Sequence, residues 1–101
     1  ASRSGARRGP DRFLLGNAAY AYQLRGMPDS ALRYHRLALA LDERDRNDAG
    51  VIEGLLAVGD QYRTMGDLDS ALAHYHRART RAADGQRRRD GVLAARRLAT
   101  L

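Results

Sequence analysis

The chain has 101 residues, a formal net charge of +6 and no cysteine. That length suits one domain with a modest core, about two-thirds of the unfolded surface being buried on folding. It excludes a disulfide framework, a thiolate metal site or a thiol nucleophile, and no apolar run approaches the ~20 residues of a membrane-spanning helix.

The first ten residues, "ASRSGARRGP", are small and basic, and read as a disordered arm over 1–10. Arg7-Arg8 is not followed by an apolar signal core, because Asp11, Arg12, Asn17, Gln23 and Arg25 interrupt it, so an export signal is not expected. A cytoplasmic protein fits this and the cysteine-free composition. From Pro10-Asp11 a helix is predicted, with Leu15, Ala18 and Tyr22 recurring three and four apart on one stripe. Gly26 stops it. Pro28 and Asp29 then open a second helix with Ala31, Leu32, His35, Ala38 and Leu39 inward. The polar segment 41–50 reads as a connection. Its acidic run, Asp42, Glu43, Asp45 and Asp48, lacks the central Gly and closing Glu of a calcium loop and reads as a solvated turn.

Val51, Leu55, Val58 and Tyr62 form a third stripe, ended by Gly66. Asp67–Thr80 reads as a fourth helix with Leu68, Ala71, Leu72, Tyr75 and Ala78 inward, and His74 and His76 in solvent. A second polar connection covers 82–91, and "VLAARRLATL" begins a fifth helix. No segment alternates as a strand does. The fold class is therefore all-α: two helical hairpins and a further helix.

The second and fourth segments share a phrase. "GMPDSALRYHRLA" at 26–38 and "GDLDSALAHYHRA" at 66–78 align at an offset of forty, as do Tyr22 and Tyr62. Such a period marks a repeat protein. Small residues at Ala19, Gly59, Ala31 and Ala71 would let helix axes approach, and Gly26 and Gly66 would supply the left-handed residue that ends a helix.

The pattern resembles the tetratricopeptide repeat family. Gly59, Tyr62, Gly66, Ala71, Tyr75 and Ala78 fit its signature in full. Ala19, Tyr22, Gly26, Ala31, His35 and Ala38 fit it with His35 in place of an aromatic, and Leu98-Ala99 matches Val58-Gly59 in the last helix. The resemblance covers 11–101: repeat one at 11–46, repeat two at 47–86, and a final capping or half-repeat helix at 87–101. The period exceeds the family's usual ~34, as in forty-residue versions from bacterial signalling and regulatory proteins. The extra residues are expected in the second helix or its connection.

The resemblance implies a right-handed superhelical stack with a concave groove that binds a peptide or protein segment. The groove residues it implies are Phe13, Gly16, Asn17, Tyr20, Gln23 and Leu24 in repeat one, then Glu53, Leu56, Ala57, Asp60, Arg63 and Thr64 in repeat two, and Arg96, Arg97 and Thr100 in the final helix. Tyr20, Leu24 and Leu56 would bury the partner, and Arg63, Arg96 and Arg97 would give it charge-assisted hydrogen bonds, favouring an acidic and apolar segment. A family subset grips a C-terminal carboxylate with Lys, Asn and Arg side chains. Here Gly16 stands at the Lys position, Tyr20 and Ala57 stand at Asn positions, and only Arg97 matches, so that clamp is not expected. No catalytic constellation, phosphate loop or cofactor motif is present, and the chain does not read as an enzyme. The alternative is self-assembly, with Val92, Leu98 and Leu101 packing across a homodimer. Nucleic acid is the least favoured partner, since Arg is spread along the chain instead of clustered with aromatics.

Overall fold

The computed structural model describes residues 12–101; the expected arm at 1–10 and the Pro10-Asp11 helix start lie outside them. Five helices follow in order: α1 (Arg12–Leu24), α2 (Pro28–Arg44), α3 (Asp48–Thr64), α4 (Leu68–Asp84) and α5 (Arg88–Ala99). The described residues contain no strand. Each helix packs on its chain neighbour. Side-chain bonds also tie α1 to α3 (Gln23–Gln61), α3 to α5 (Asp60–Arg97) and α2 to α4 (Glu43–Arg77). The odd helices thus form one row and the even helices another.

The sequence repeats every forty residues, but the backbone repeats every twenty. Helices start at Pro28, Asp48, Leu68 and Arg88, and three residues separate each from the helix before. All four turns have the same construction. Backbone N–H groups of Met27, Asn47, Asp67 and Arg87 donate to the carbonyls of Tyr22, Asp42, Tyr62 and Ala82 at 2.7–2.9 Å. Those of Gly26, Arg46, Gly66 and Gln86 donate to Gln23, Glu43, Arg63 and Ala83 at 3.0–3.2 Å. This paired bonding satisfies the last helical carbonyls and needs one left-handed residue. Gly26 and Gly66 provide it at φ 73° and 86°, as expected, whereas Arg46 and Gln86 adopt it at 56° and 55°. The residue after it then opens the next helix. Asn47 and Asp67 accept N–H bonds from Gly50 and Ser70 with their side chains.

The two polar segments are therefore mostly helix, and only 45–47 and 85–87 are turns. The residues beyond the shorter period lengthen the helices. Asp42 is buried in α2, not solvated: Arg12 Nε lies 3.3 Å from its Oδ1, and Asn47 Nδ2 donates to the same oxygen. No group of three metal-capable side chains gathers among the described residues.

The core runs through Leu39, Val51, Ile52, Leu55, Val58, Ala71, Tyr75, Ala78 and Ala94. Helix α4 buries Ala71, Tyr75, Ala78 and Ala82, spaced four, three and four. Leu68 and Leu72, expected inward, are exposed: Leu72 lies off that stripe, and Leu68, in phase with it, is the first residue of the helix. His74, expected in solvent, packs its ring 5.2 Å from that of Tyr62, and its Nδ1 lies 2.8 Å from the Ser70 carbonyl. Forty residues earlier, Tyr22 stacks on Tyr34 at 5.4 Å. The same two positions pin α1 to α2 and α3 to α4.

Candidate functional site

Phe13, Tyr20 and Leu24 are spaced seven and four along α1, which places them on one stripe with Asn17. Their exposures are 67, 58 and 69%, high for large apolar side chains. Beside this stripe lies a groove of about 350 Å³ between α1 and α3. Phe13, Gly16, Asn17, Glu53 and Ala57 line it, five residues expected at a partner site. Its lining also includes His35, Ala38 and Asp42 of α2, and Gly50 and Gly54 of α3. Sequence reasoning missed these five as groove residues because His35 and Ala38 read as packing, Asp42 and Gly50 as a polar connection, and Gly54 as helix interior.

The electrostatics of the groove are largely settled internally. Arg12 pairs with Asp42 and sets its guanidinium 4.5 Å over the Phe13 ring. Burial lowers the pKa of the His35 ring, with the Asp60 charge opposing in part, so the imidazole is neutral at pH 7. Glu53 is exposed and meets no cation among the described residues.

Further along the same row, Asp60 is the hub of a polar cluster. The Tyr75 hydroxyl donates to its Oδ1, and Arg97 donates to both carboxylate oxygens at 2.9 and 3.1 Å. Burial first, then the bond to Asp60, pushes the Tyr75 phenol up to about 12. The bond to Asp60 raises Arg97 further.

Four expected roles change. Leu56 is only 6% exposed and belongs to the core, so it offers no docking surface. Arg97 is committed to Asp60 and joins α3 to α5, so neither side chain is a free charge for a partner. Gln23 accepts a hydrogen bond from Gln61 across the α1–α3 contact. Tyr20, Leu24, Glu53, Arg63 and Arg96 remain exposed, while Thr64 and Thr100 bond back to their own helices. On α5, Leu98 packs against the core, and Val92 stays exposed beside Arg79 and Arg88.

No family model and no solved structure matches the chain. A stretch of 53 residues is 36% identical to the protein FLUORESCENT IN BLUE LIGHT, chloroplastic, of Arabidopsis thaliana. The match covers 52% of this chain and 17% of the plant protein. Among the described residues no helix is long and apolar enough to cross a membrane.

Proposed function

We propose that the chain is a tetratricopeptide-type interaction module that docks a peptide or protein segment along the row formed by α1, α3 and α5. The observation that carries this reading is the exposed stripe of Phe13, Tyr20 and Leu24 beside the α1–α3 groove. Exposed apolar side chains aligned in this way mark interaction surfaces more often than chance surface positions do. The forty-residue period, the paired hairpins and the tight seat of Tyr75 against Gly59 support the repeat class. A role inside a larger regulatory or signalling protein is consistent with a relative that is several times longer.

Apolar anchors on α1 supply most of the affinity, and Arg63 and Arg96 bias the partner toward acidic flanks. A homodimer through α5 is the weaker reading. Two-fold packing around Val92 would bring Arg79 and Arg88 of each copy together.

The test is selection of binding peptides from a random display library, followed by calorimetry on two variants. Tyr20→Ser with Leu24→Ser should weaken binding at least about tenfold, and Arg33→Glu with Arg77→Glu, on the even row, should change it little. The reverse ranking places the working surface on the even row and refutes the reading.

A further inference from the structure

The two repeats differ at the groove, and the difference is where the space comes from. Residue 16 in α1 corresponds to residue 56 in α3, and residue 35 in α2 to residue 75 in α4, at the forty-residue offset. Repeat two has Leu56 and Tyr75 there, both buried, and Tyr75 is completely so. Repeat one has Gly16 and His35, and both line the open groove. A Cβ built on Gly16 would meet nothing within 4 Å. The interior that repeat two fills with its own leucine and phenol is left vacant in repeat one.

We infer that this vacancy is a socket for one large, uncharged apolar side chain of a docked partner, leucine- or tyrosine-sized. Repeat two identifies the occupant, because the same backbone frame closes around Leu56 and Tyr75. The charges agree. Arg12 and Asp42 in the lining pair at 3.3 Å, which leaves the Glu53 carboxylate as the one charge of the lining without an ion pair among the described residues. Glu53 is exposed at the groove, where solvent already satisfies it. The socket adjoins Phe13, so an anchor seated in it continues the apolar stripe of α1. The assignment deepens the groove reading and rests on it, but it is tested without any partner protein.

The probe is p-cresol, the tyrosine side chain as a free molecule, titrated into the isotope-labelled chain. Saturable shifts should gather at the amide signals of Gly16, Gly50 and Gly54, which sit in the uncrowded glycine region. Gly16→Leu rebuilds the filled arrangement of repeat two and should abolish those shifts while keeping or raising the melting temperature. His35→Tyr should weaken p-cresol in the same direction, which guards against a local misfold in the first variant. 4-Methylbenzoate and 4-methylbenzylammonium should each bind at least about tenfold more weakly than p-cresol, since burying an unpaired charge costs more than one such factor. Tighter binding by either ion, or p-cresol shifts that survive both filling variants, overturns the socket. Neither result touches the exposed α1 stripe, so the wider docking reading would then stand or fall on Tyr20 and Leu24 alone.

Discussion

The Arg97 guanidinium holds the Asp60 carboxylate from α5 to α3, with Nε on Oδ1 at 2.9 Å and Nη2 on Oδ2 at 3.1 Å. Both side chains are about one-third exposed, so solvent screens the pair. The two-pronged geometry and the added Tyr75 hydroxyl place it above an ordinary surface ion pair. A double-mutant cycle with Asp60→Asn and Arg97→Gln should give a coupling on the order of 1 kcal/mol in urea unfolding. A coupling indistinguishable from zero would mean that α5 is held by apolar packing alone. Arg97→Glu should cost more than Arg97→Gln, because it sets two carboxylates together. For that reason the groove charges should be tested with Arg63→Glu and Arg96→Glu, leaving Arg97 in place.

The four identical turns give a second prediction with opposite signs. Arg46 and Gln86 carry a side chain at positive φ, where glycine suffers no clash. Arg46→Gly and Gln86→Gly should each stabilise by up to about 1 kcal/mol. Gly66→Val should destabilise by about 1–2 kcal/mol or more, since a branched side chain disfavours φ 86°. Thermal melts of the three variants decide it. A loss of stability in both glycine variants would show that these turns are not under strain.

Close approach sets the sign at helical glycines. A Cβ on Gly59 would come within 2.6 Å of the Tyr75 ring, which is fully buried and has nowhere to move. Gly59→Ala should therefore cost about 1–3 kcal/mol through overpacking. Gly54 is intermediate, with Leu39 Cδ1 at 3.0 Å and Cβ at 3.1 Å from a Cβ built there, so the gain in helix propensity from alanine is opposed by crowding against α2. At Gly16 the space is open, and Gly16→Ala should stabilise by up to about 1 kcal/mol. Equal effects at positions 16 and 59 would refute the packing description.

Helix number, order and the two glycine turns were legible because they rest on local signals: apolar spacing, proline at a helix start, and glycine at a left-handed position. Arg46 and Gln86 gave no such signal, so two turns of three residues read as ten-residue connections. Among the groove residues, Phe13, Gly16, Asn17, Glu53 and Ala57 came through by position in the repeat. Leu56 and Arg97 were misread because their fate is settled by contacts the repeat does not encode. Leu56 closes space that Gly16 leaves open, and Arg97 meets Asp60 at a separation of 37 residues. Asp42 reads as one more acid in a charged run until Arg12 and Asn47 are seen to enclose it.

His35 gives the last prediction, through pH. Burial holds its folded pKa below the ordinary 6.5, outweighing the opposing charge of Asp60. In the unfolded chain the ring takes its proton near that ordinary value. Between the lowered folded pKa and 6.5 the unfolded state therefore binds more protons than the folded state, and stability falls as pH drops through that window. Well above 6.5 both states hold a neutral ring and the contribution vanishes. Acidification acts on the whole chain, so a single melting curve cannot isolate the effect. The difference between wild type and His35→Gln can, because the other groups are common to both. Relative to its own value at about pH 7.5, wild type should lose more melting temperature than His35→Gln by about pH 5.5. A difference between the two proteins that stays flat across that range, or one in which the variant loses more, would place His35 in contact with solvent and remove the neutral imidazole from the groove.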